Sequence, residues 1–145
     1  MGTFLDPLHL DYLDGRQWLI TAPFTYQLAD GSGEIRVPAD MVTDFASIPR
    51  ILWTILAPTG SYGKAAVLHD YLYRHRLVNV PDRLVDREEA DAIFAEAMRA
   101  LGVNWATRAF LYRGVRVTSG AAWDRYRSAE RAADTDPHHD RLDGP

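Results

Sequence analysis

Apolar and polar positions alternate through the first forty residues and then change period. Trp18-Leu19-Ile20-Thr21 and Phe24-Thr25-Tyr26-Gln27-Leu28 are rich in aromatic and β-branched residues. Ala29-Asp30-Gly31-Ser32-Gly33 is a turn signal, and Glu34-Ile35-Arg36-Val37-Pro38 alternates polar with apolar. Together they predict a β-hairpin. From Ser47 the spacing becomes helical. Ser47 is placed to cap a short helix with Pro49 in its first turn and Ile48, Ile51, Leu52, Ile55 and Leu56 as its stripe; Ala57-Pro58-Thr59-Gly60 breaks it. A second helix is expected from Ser61 to about Arg76, with Ala65, Ala66, Leu68, Leu72 and Tyr73 inward. A loop with Asn79, Pro81 and Asp82 follows.

Asp86 and Glu89 have the spacing of a capping box. They open a helix Arg87 to Leu101 carrying Ala90, Ile93, Phe94, Ala97, Met98 and Leu101, which Gly102 ends. A last helical region, about Asn104 to Ala133, has a break near Ser119-Gly120. The pattern predicts an α+β fold: an N-terminal hairpin or small antiparallel sheet packed on a bundle of about four helices. Residues 1–133 read as one domain and residues 134–145 as a polar tail.

Composition narrows the chemistry. The 145 residues are 47% hydrophobic and 25% charged, ordinary for a globular domain. There is no cysteine, which excludes a disulfide framework, a thiolate nucleophile and a Cys-ligated metal site. A formal net charge of −4 argues against nucleic acid as the partner, although Arg108 to Arg131 is locally basic and reads as a solvated helix face. No apolar run is long enough to span a bilayer, and no secretion signal is visible at the N-terminus.

The chemistry concentrates in Leu68-His69-Asp70-Tyr71-Leu72-Tyr73 and Glu89-Ala90-Asp91. Packing of two helices joined by a short connection would bring Asp91 beside His69. A carboxylate on one ring nitrogen fixes the imidazole tautomer and stabilises its cation, so the other nitrogen can take a proton. Asp70 points elsewhere, because helix neighbours do not share a face, and is a candidate ligand for a hard cation such as calcium. Asp44 either completes that metal site or pairs with Arg50. Asp44 and Ser47 also suit a turn with a helix cap. The rival to all of this is a buried polar network in which His69, Asp70 and Asp44 only fix the packing.

VPADMVTDFASIPR (Val37 to Arg50), Trp53, Gly63 to Tyr73, and Arg87, Ala90-Asp91 and Phe94 resemble the phage and prophage family called domain of unknown function 1353. The resemblance implies a phage-derived origin and synthesis in the cytoplasm of a bacterial host, with incorporation into a phage particle as an alternative fate. It implies no activity. His69-Asp70-x-x-Tyr73 followed by Ala90-Asp91-x-x-Phe94 is similar, more distantly, to the active-site helices of phospholipase A2. That similarity implies His69 as base, Asp70 as calcium ligand, Asp91 as orienter and Tyr73 as support. The stretch Trp53 to Gly60 departs from that family's glycine-rich calcium loop. The expected function is a His-Asp hydrolase acting on a lipid ester or a cell-envelope bond. The alternatives are a non-catalytic component associated with phage tail or other virion proteins, and a host-modulating binding module.

Overall fold

The computed structural model describes residues 1–14, 17–44, 63–79 and 82–135. The expected helix at residues 48–56, Ser47, Arg50 and the tail beyond Thr135 lie outside the described residues. The elements run β1 Thr3–Phe4, β2 Leu10–Asp14, β3 Gln17–Ile20, β4 Phe24–Gln27, β5 Glu34–Val37 and β6 Val42–Thr43. They continue with α1 Gly63–His75, β7 Leu77–Asn79, β8 Asp82–Leu84, α2 Arg87–Ala100, α3 Trp105–Thr118 and α4 Gly120–Asp134. Small antiparallel sheets beside helices make this an α+β fold, as the pattern predicts.

The hairpin expected around Gly31 is β4–β5, in register from Phe24 opposite Val37 to Gln27 opposite Glu34. Gly31 has φ 73°, a left-handed conformation that glycine adopts without steric cost. Phe24, Tyr26, Ile35 and Val37 alternate inward and are fully buried or nearly so. β1 extends this sheet on the β4 side. β3 does not join the hairpin. It sits between β2 and β6 in a second sheet of three strands, which brings Thr43 and Asp44 back toward the helices. Residues 77–84, expected as a loop, contain the short hairpin β7–β8 instead. Arg36 N–H donates to Asn79 Oδ1 and ties that hairpin to β5.

The helices start and stop where their caps dictate. Asp86 Oδ1 accepts from Glu89 N–H at 2.8 Å, and Asn104 Oδ1 accepts from Thr107 N–H at 2.9 Å. Glu89 does not complete the capping box, because its carboxylate pairs with Arg83 at 2.7 Å. Gly102, at φ 80°, ends α2, and Ser119 divides α3 from α4 at the expected break.

α1 is the centre of the molecule. Ten of its 13 residues are buried, so it is covered on every side and not only along the predicted stripe. The sheets, α2 and α4 enclose it, which puts His69 and Asp70 at zero exposure although they point in different directions. Truncating a side chain here, such as Leu68→Ala, leaves a cavity worth roughly 2–5 kcal/mol. Among the described residues no helix is long and apolar enough to cross a membrane.

Candidate functional site

Two helices build the first half of the site. His69 and Tyr73 are one turn apart on α1 and so share a face. That face meets Asp91 on α2. His69 Nε2 lies 2.7 Å from Asp91 Oδ1, and Tyr73 Oη donates to the same oxygen at 2.7 Å. The second oxygen, Oδ2, accepts from Arg116 Nη1 of α3 at 2.9 Å, and Arg87 Nε stands 4.0 Å from it. The imidazole is packed against the Tyr73 and Phe94 rings, with centroids 4.3 and 4.7 Å away.

Burial pushes the Asp91 carboxyl up, but the hydrogen bond and charge of His69, with the bonds from Tyr73 and Arg116, outweigh it and hold Asp91 below the usual carboxylate range. The same environment pushes the Tyr73 phenol up, first by burial and then through its bond to Asp91, so Tyr73 stays a donor. An ionised Asp91 can only accept. The proton between the two groups therefore belongs on Nε2.

The second half sits on the opposite side of α1. Asp70 Oδ2 accepts from Thr43 Oγ1 at 2.7 Å and from Arg74 Nε at 3.0 Å. Arg74 also reaches Asp44 Oδ1 at 3.1 Å through Nη2. Asp70 Oδ1 is buried without a hydrogen-bond partner. Burial drives the Asp70 carboxyl pKa up, and Arg74 and Thr43 only partly oppose it.

The structure thus brings His69, Asp91 and Tyr73 together, and separately joins Asp70 to Asp44 through a guanidinium. Ser47 and Arg50 fall outside the described residues. Among the described residues no group of three His, Asp or Glu side chains is arranged to hold a metal ion.

Arg116, Arg74 and Thr43 belong to the site although the sequence reading passed over them. Arg74 is detectable as the i+4 partner of Asp70. Arg116 had no such signal. The reading of Arg108 to Arg131 as one solvated face is corrected at Arg116, which binds buried Asp91, and at Arg127, which is 8% exposed. Both face charge or carbonyl oxygens that only tertiary packing delivers.

A family model described as Protein of unknown function (DUF1353) matches residues 18–115. No curated protein and no solved structure matches the chain.

Proposed function

The chain belongs to this family of unknown function, and from that premise we propose that it is a phage-derived hydrolase in which His69 is the general base. The observation that supports the reading is the 2.7 Å contact of His69 Nε2 with an Asp91 carboxylate that Tyr73 and Arg116 already hold in place. In this mechanism the imidazole takes a proton from water as the water oxygen attacks an acyl carbonyl. Asp91 stabilises the imidazolium, which then returns the proton to the leaving oxygen. Tyr73 and Arg116 keep the carboxylate fixed and ionised, so they act as positioning residues. The substrate class is a lipid ester or a cell-envelope bond, matching what a phage must cut, and the place of synthesis is the bacterial host cytoplasm.

Calcium at Asp70 and Asp44 fits the described residues poorly. Arg74 already pairs with both carboxylates, and Asp70 Oδ1 is the one oxygen of Asp70 left for a cation. The mechanism is therefore written without a metal.

A second reading is favoured by one observation: His69, Asp70 and Asp91 have no solvent-exposed surface. In it the same groups form a packing network in a non-catalytic protein that accompanies phage tail or other virion proteins. Hydrolysis of short-chain esters, phospholipid vesicles and cell-envelope fragments by wild type and His69→Gln, with calcium added and with calcium chelated, separates the two. The hydrolase reading predicts turnover that falls by about a hundredfold or more in the variant, the size of a general-base contribution. No turnover of any substrate by folded wild type would favour the packing network.

A further inference from the structure

A pocket of about 740 Å³ opens between the start of α2, the end of α1 and α4. Its inner wall is made by Arg76, Arg87 and Arg127. Arg127 Nη2 donates to Tyr73 O and Arg74 O, which caps the C-terminal carbonyls of α1. Arg87 Nη2 does the same for Val115 O and Arg116 O of α3. Each guanidinium has five N–H donors, and these caps use one nitrogen of each. Arg127 Nη1 and Arg76 Nε are buried and have no hydrogen-bond partner, whereas Arg87 Nε is turned to Asp91 Oδ2, 4.0 Å away. Arg127 Nε lies 3.1 Å from Glu130 Oε2, an ion pair whose geometry is too bent to be a hydrogen bond.

A buried donor without a partner is costly, and this pocket gathers two, on Arg76 and Arg127. Glu130 is the one acid among them, shared by Arg76 and Arg127. Asp86, Glu88 and Asp134 are exposed at the rim, and Asp86 is engaged as the α2 cap. Burial, and after it the charge of Arg76, push the Arg127 guanidinium down despite Glu130. Arg76 itself is held at φ 53°, a left-handed position that follows a helix and ordinarily favours glycine. That backbone departure is of the kind that accumulates at ligand sites.

We propose that this pocket binds a compact oxyanion of the phosphate class, free in solution or carried on a lipid headgroup, with Arg76 and Arg127 as its donors and Arg87 in its wall. The proposal stands independently of the hydrolase reading, since Arg76 and Arg127 make no contact with His69 or Asp91 in that reading.

Calorimetric titration with inorganic phosphate at constant ionic strength tests it, with Trp123 fluorescence as the second readout. Trp123 carries the Arg127 guanidinium 4.5 Å above its ring, so occupancy should change its emission. The expected result is saturable one-site binding that weakens about tenfold or more in Arg76→Gln, a change of roughly 1.4 kcal/mol. Arg113→Gln, on the exposed side of α3, should leave it unchanged. Arg76→Gln removes no helix cap, so it keeps the test sharp even if Arg127 variants fail to fold. Sedimentation with phosphatidate and with phosphatidylcholine vesicles then distinguishes the source: Arg76-dependent binding to phosphatidate alone points to a headgroup, and its absence points to free phosphate. No saturable binding of phosphate and no Arg76-dependent binding to phosphatidate would overturn the proposal, as would equal weakening in Arg76→Gln and Arg113→Gln.

Discussion

Asp91 has more at stake than any other single side chain here. It is wholly buried, ionised, and shared by a histidine, a tyrosine and two arginines from three helices. Removing one member of a buried charge network leaves the others uncompensated, at about 3–5 kcal/mol. Asp91→Asn should therefore destabilise the protein by an amount near the lower figure, since Arg116 is 31% exposed and can rehydrate. Because the folded carboxyl lies below its usual range, its contribution is complete above the ordinary carboxylate pKa of about 3.9 and is lost as pH falls through the lower folded value. The gap between wild type and Asp91→Asn should narrow as urea unfolding is repeated at falling pH. Asp70 has the opposite sign. Its folded carboxyl is raised, so it opposes folding above that value and ceases to do so in acid. Asp70→Asn should accordingly be tolerated best at neutral pH, and a penalty that shrinks in acid would contradict the account.

At the scale of elements, what the sequence made legible was what local physics decides. The cap Asp86, the helix start near Asn104, the stop at Gly102 and the break at Ser119 are each decided within one turn, and α2, α3 and α4 begin and end beside them. Asn104→Ala should cost about 1 kcal/mol in urea unfolding, with α3 losing its first turn. The β4–β5 hairpin was legible for the same reason, since its turn lies between its strands. Pairings between distant segments were not. Nothing local to Trp18 says that it will face Thr43 and not the strand beginning at Phe24. β7 and β8 are too short for an alternating pattern to show, and Asn79, Pro81 and Asp82 read as loop. In the site, His69 and Tyr73 were readable as one helix face and Asp91 as its partner on the next helix. Arg116 and Arg127 were hidden, because an arginine in a charged run looks solvated until a buried carboxylate or a helix end is packed against it.

At the scale of the molecule, the helix with the most chemistry is also the most enclosed. α1 is walled by sheets and helices, and its two polar clusters look outward in different directions: Asp91 with its arginines on one side, Thr43, Arg74 and Asp44 on the other. A polar group is tolerated at such depth when its hydrogen bonds are made, and most of them are. Catalysis at His69 requires the packing around α1 to open enough for substrate to reach the imidazole. The account rests on the claim that Asp91 fixes the proton of His69 on Nε2. Long-range proton–nitrogen NMR of the His69 ring at mildly alkaline pH tests this without knowledge of a substrate. The account predicts a ring protonated on Nε2 in wild type, with that preference weakened in Asp91→Asn. A ring whose Nε2 carries no proton would contradict it.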